Sequence, residues 1–227
     1  MTARETILGT IRANLPKPAV PLPDSPTTTD HSGIKGGVGW LRSLDDLGEV
    51  EGFPEAGESL VPYFRRHLDA MGGRSFEVVD VAAAQAKISE LFPKAKVICS
   101  ATAEVAGNRR VGDVADPHTL ADVDVAVVRS RSGVAESGSV WLGTGDLQAP
   151  SLGVLTQHMV VLLDPGAIVP TLHDAYGTKL DLASSPYGVF MSGSSATADI
   201  EGVVIYGAQG ARTMTILLLP AHQPGAK

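Results

Sequence analysis

Residues 59–99 read SLVPYFRRHLDAMGGRSFEVVDVAAAQAKISELFPKAKVIC. Leu60, Val61, Phe64, Leu68 and Met71 recur at steps that place them on one helical face, and Gly72-Gly73 ends that helix. Phe76 to Val79 is a short apolar strand. Asp80 offers its carboxylate as the cap of a second helix, whose apolar face is Val81, Ala84, Ile88 and Leu91, with Pro93 beyond its end. Val97-Ile98-Cys99 is a second strand. Parallel strands need crossover connections, and helices usually supply them. Helix, strand, helix, strand in succession therefore predicts an α/β fold with a sheet covered by helices.

Toward the C-terminus, Ala101–Leu120 is polar and loop-like. Val123 to Val128 is a strand, Val134 to Leu142 a Gly-interrupted strand, and Met159 to Leu163 a continuous apolar strand of the kind buried on both faces. Pro170 suits the first position of a short helix that Gly177 closes. Val189 to Met191, Val203 to Tyr206 and Thr213 to Leu219 are further strands, and the last, closed by Pro220, has the character of a central one. Gly207 to Arg212 is a tight turn between two strands, of hairpin form. A mixed β-sheet flanked by helices is expected. Toward the N-terminus, Thr2-x-x-Glu5 has the form of a capping box, and Ile7, Leu8, Ile11 and Leu15 follow at helical spacing, so a helix is expected over about 3–14. Pro16, Pro18, Pro21, Pro23 and Pro26 make a stiff connector. Residues 1–30 thus form an arm, which packs on the domain or on a second subunit of a homodimer, or is a partly disordered tail. Residues 31–227 are the α/β domain, in which Trp40, Leu41, Leu44 and Leu47 suit a short helix.

Composition narrows the classes of function. Hydrophobic residues make up 44% of the 227, and the net charge is -7. A negative chain without a basic stripe is a poor ligand for nucleic acid, and aromatics at 5% give no base-stacking platform. No apolar run approaches the ~20 residues needed to span a membrane. Met1 to Glu5 lacks the apolar segment of a signal peptide, and the single Cys99 fits a reducing compartment, so a cytoplasmic protein is expected. One cysteine cannot hold an iron–sulfur cluster, and the histidines show no metal-ligand spacing. Cys99 itself reads as a buried, inert thiol.

Two small-residue windows carry the candidate site. Gly133 to Ser139 places Glu136 among Ser137, Gly138 and Ser139, where a carboxylate serves as nucleophile, base or ligand contact, or simply as a solvated loop residue. Ser192 to Glu201 combines Gly193, Ser194, Ser195 and Thr197 with Asp199 and Glu201. Small residues let backbone approach a ligand, and successive N–H groups form an anion cradle. The same composition also suits a plain turn between strands. His158, just before a strand, is a candidate base or anion contact, and Arg212 a candidate partner for a carboxylate or phosphate. His173 and Asp174 read as a solvated helix face.

Together these windows resemble the LUD domain of the lactate utilization protein C family. The resemblance rests on Ala135-Glu136-Ser137-Gly138-Ser139, Gln157-His158-Met159-Val160-Val161, Ile168-Val169-Pro170, Ser192 to Glu201, Gly207-Ala208-Gln209-Gly210 and Leu217-Leu218-Leu219, in that order, within about residues 58–220. It departs from the family pattern at Ser194, where a proline is usual, and at Ala196, where a basic residue is frequent; Arg212 is the candidate substitute for that base. The resemblance implies a Rossmann-like fold similar to ribose-5-phosphate isomerases and coenzyme A transferases. It implies a role in oxidising L-lactate to pyruvate beside partner proteins that carry iron–sulfur clusters, with none in this chain and a small organic acid or phosphate-bearing ligand. It leaves an accessory subunit, a stand-alone transferase or isomerase using Glu136, and a non-catalytic scaffold all open. Under the first reading Glu136 and the 192–201 stretch line one pocket with His158 nearby.

Overall fold

A computed structural model describes residues 4–5, 9–10, 57–113, 116–178, 180, 185, 187–197 and 204–220. The chain divides into two compact units, Met1–Glu51 and Gly52–Lys227. In the first, the described positions Arg4, Glu5, Gly9 and Thr10 are helical, within the helix expected over 3–14. The proline connector and the Trp40–Leu47 helix lie outside the described residues, as do Asp199, Glu201 and Val203.

The second unit opens with helix α1 (Val61–Ala70), strand β1 (Arg74–Glu77) and helix α2 (Val81–Leu91), followed by strand β2 (Ile98–Ser100). The expected alternation is present, with β1 starting directly after the Gly72-Gly73 turn, two residues earlier than its apolar run suggests. Asp80 caps α2 as expected, its carboxylate accepting the Ala83 N–H at 2.7 Å. Residues 101–120 are not all loop: β3 (Arg109–Arg110) adds to the sheet edge beside Cys99 and Ser100, anchored by the Arg109–Asp122 ion pair.

β4 (Val125–Ser130), β7 (His158–Leu163) and β12 (Thr213–Leu218) complete a six-stranded sheet in the order β1-β12-β7-β4-β2-β3, every pairing parallel. Side chains alternate across a strand, and the alternation sorts the core in two. Ala126, Val128, Met159, Val161, Met214 and Ile216 face α1, meeting Phe64 and Leu68. Val125, Val127, Val160, Leu162 and Leu217 face α2, meeting Ala84 and Ile88. Both faces are buried, so the strands read as near-continuous apolar runs. Each fully buried Leu or Ile contributes roughly 2–3 kcal/mol to this packing.

The mixed pairing expected of the sheet occurs in a second one. β5 (Gly133–Val134), β6 (Ser139–Gly143), β8 (Ile168–Val169) and β9 (Gly188–Met191) form a four-stranded sheet in the order β8-β5-β6-β9. Its Val140 and Leu142 join the α1-side core. Its other face takes Ala175 of a seven-residue helix, which spans Leu172–Thr178 and is preceded by the two single-turn helices α3 (Thr144–Leu147) and α4 (Leu152–Leu155); we call it α5. Pro170 does not start α5. Thr171 does, through a reciprocal pair with Asp174: the Thr171 N–H donates to the Asp174 carboxylate at 3.1 Å and the Asp174 N–H to the Thr171 hydroxyl at 3.2 Å. Gly177 accordingly lies inside the helix. Residues 207–212 are not a hairpin either. β11 (Ile205–Tyr206) pairs with β10 (Ala196–Thr197), while the next strand enters the parallel sheet.

Candidate functional site

The two small-residue windows meet, and they meet on α1. The Ser192 hydroxyl lies 3.0 Å from the carbonyl oxygens of both Ser137 and Gly138 and donates to them. The Ser137 and Ser139 hydroxyls bond each other at 2.7 Å. Gly138 turns through φ +59° with its Cα against the Leu68 amide, and Gly193 through φ +67° against the Met71 carbonyl. The close backbone approach expected of these glycines is therefore made to a helix of the same chain.

Glu136 sits on a 3-10 turn, half-buried. Its Oε1 accepts the Leu172 N–H at 2.6 Å and its own N–H donates to Pro170 at 3.0 Å. The carboxylate thus closes the N-terminus of α5, where the exposed N–H groups and helix dipole favour negative charge. Asp174 is the internal cap of the same helix rather than a solvated face.

Beneath Ser192–Ser195 lies a cavity of about 290 Å³ walled by Met159, Val154, Met191, Met214, Ser194 and Gln209. Its walls are mostly apolar. The Ser195 N–H already bonds Ala211 and its carbonyl accepts from Gly207, both at 2.9 Å. Thr197 lies on β10, and Asp199 and Glu201 are outside the described residues.

His158 and Arg212 belong to a different cleft, of about 450 Å³, at the amino-terminal ends of β4, β7 and β12. His158 Nδ1 bonds the Thr213 hydroxyl at 2.9 Å, and its ring packs on Phe92 with centroids 4.9 Å apart. Arg74 Nε donates to the Thr215 hydroxyl at 3.1 Å, and its guanidinium lies 6.0 Å from the Phe92 ring centre. Burial lowers the His158 pKa from its ordinary value, and the charges of Arg74 and Arg212 lower it further against the opposing pull of Asp124. Asp124 is held below the usual carboxylate range by N–H donors from Val97 and Lys96.

The structure therefore brings Ser137, Gly138 and Ser139 to Ser192 and Gly193, and His158 to Arg212, while Glu136 lines neither cavity. Arg74, Phe92, Asp124 and Thr213 are additions that sequence reading missed. One signal was available for part of this: Thr213 and Thr215 alternate with apolar residues in an otherwise apolar strand, which marks a polar column on one face. Cys99 is buried, and burial pushes its thiol pKa up. Among the described residues no three His, Cys, Asp or Glu side chains gather, and no helix is long and apolar enough to cross a membrane.

Comparison with known proteins agrees with this architecture. A duf162 family protein from Deinococcus radiodurans shares the fold, with a TM-score of 0.56 at 14% identity over 73% of this chain and 99% of that one. An uncharacterized protein of Neisseria meningitidis serogroup B is 32% identical over 104 residues, which is 44% of this chain and 45% of that protein, so the match spans less than half of the relative's length. The family model of the LUD domain matches residues 115–219. The matched segment carries β4, β7 and β12, both small-residue windows, His158 and Arg212, and it is this part of the chain that is similar to a LUD domain.

Proposed function

We propose that this chain is a cytoplasmic component of a multi-protein L-lactate utilization system, supporting oxidation of L-lactate to pyruvate as a subunit without its own iron–sulfur cluster. The observation that carries this reading is the match of residues 115–219 to the LUD domain. Iron–sulfur clusters reside on the partner proteins, and the chain binds a small organic acid or phosphate-bearing ligand. The ordered contact between the 135–139 and 192–195 windows supports a built domain, since Ser192 and two positive-φ glycines lock both to α1. Deleting the gene in the source organism is the test. The expected outcome is loss of growth on L-lactate with growth on pyruvate retained, and co-purification of the tagged chain with iron–sulfur proteins. Normal growth on L-lactate, with no such protein retained, overturns the proposal.

A further inference from the structure

The cleft at the amino-terminal ends of β4, β7 and β12 concentrates positive charge in a chain whose net charge is -7. Arg212, which lines the cleft, and Arg74, which lies beside it against Phe92, are positioned without a carboxylate partner among the described residues. Arg74 is fixed through Nε to Thr215, so its two terminal nitrogens remain unbonded among the described residues. The Arg212 stem lies against Gly207, its backbone N–H bonds Gln157 at 2.9 Å, and its guanidinium has no carboxylate partner among the described residues. Other arginines differ: Arg109, Arg129 and Arg131 pair with Asp122, Glu104 and Asp146. The carboxylate that lines the cleft, Asp124, has its Oδ2 engaged by the N–H groups of Lys96 and Val97. His158 uses Nδ1 on Thr213, which leaves Nε2 as the ring nitrogen available to a ligand. The donors come from β1, β7 and the start of β12, and Lys94 stands at the rim.

We propose that this cleft binds a compact, doubly charged oxyanion of the phosphate-monoester class, clamped between the Arg74 and Arg212 guanidiniums with His158 Nε2 as a third contact. Guanidinium groups are well matched to phosphate, and a tetrahedral oxyanion offers oxygens in several directions, where a carboxylate offers two in one plane. The volume of about 450 Å³ leaves room for an organic remainder against Phe92 and Pro93. The inference goes beyond the lactate reading and does not depend on it.

The test is an NMR titration of the full chain, following the His158 ring nitrogens with inorganic phosphate, glycerol 3-phosphate and malonate in turn at matched ionic strength. Saturable shifts with both phosphates are expected. Arg74→Gln and Arg212→Gln should each weaken the phosphate response by about tenfold or more, the loss of one charge-assisted contact. Arg131→Gln, which removes one positive charge elsewhere, should leave it unchanged. A response indifferent to both cleft substitutions, no saturation below about 20 mM phosphate, or tighter binding of malonate than of phosphate overturns the proposal.

Discussion

At position 138 a methyl group would fall on the Leu68 amide, and at 193 on the Met71 carbonyl. Both atoms are backbone, one within α1 and one at its C-terminal cap, which the Phe64 and Leu68 side chains anchor in the core, so neither can move aside as a flexible side chain would. Both glycines also hold φ values near +60°, at +59° and +67°, where an L side chain is strained. Gly138→Ala and Gly193→Ala should therefore each cost about 3 kcal/mol, the sum of backbone strain and overpacking, read as a lower urea midpoint. Gly112→Ala is the control, since its φ is ordinary and nothing lies within 4 Å of the added methyl; a midpoint shift equal to the other two would refute the argument. The need for small residues in the two windows was legible in the sequence. What they approach was not, because Leu68 and Met71 are remote in sequence and a glycine states only that something comes near.

At the scale of elements, α5 shows how a long-range contact sets a local structure. Seven residues are too few for a helix to stand by itself in water, and its start depends on caps. Thr171 and Asp174 supply one, visible in the sequence as Thr-x-x-Asp but overshadowed by Pro170 one residue earlier. Glu136 supplies another from 36 residues upstream, which no local pattern reveals. If capping is its role, Glu136→Gln should keep an oxygen at the Leu172 N–H and cost only about 0.5–1 kcal/mol, the helix-dipole share of the interaction. Glu136→Ala should cost about 1–2 kcal/mol, because it leaves that N–H without its acceptor. Chemical denaturation separates these cases. Equal losses for Gln and Ala, or none for either, would remove the capping account, and abolished turnover in a stable Glu136→Gln protein would instead make the carboxylate a reacting group.

For the whole molecule, the apolar runs of β4, β7 and β12 announced a doubly buried sheet, but their order in space, β12 beside β7 beside β4, was not written in any single run. That order is what joins His158 to Thr213 and puts Arg212 in the same cleft, 54 residues away in sequence. It also ties global stability to pH. The His158 pKa is lowered in the fold by burial and by Arg74 and Arg212, so the unfolded chain takes up that proton first. Stability from this group is complete above the unfolded value of about 6.5 and falls as pH drops from there through the folded value. Asp124, lowered by backbone donors, acts in the same direction at lower pH: its contribution is present above about 3.9 and is lost as pH falls through its folded pKa. Asp116 and Asp122, lowered by bonds from His118 and Arg109, add to that lower window. Urea midpoints between pH 7.5 and 3 should therefore decline in two stages. His158→Gln should flatten the upper stage and leave the lower one. Because a bound dianion would favour the imidazolium, it raises the folded His158 pKa toward the unfolded value, so phosphate should shrink the upper stage in the wild-type chain and not in Arg212→Gln. An upper stage that survives His158→Gln would assign it to another group and break this link between the cleft and the stability of the sheet.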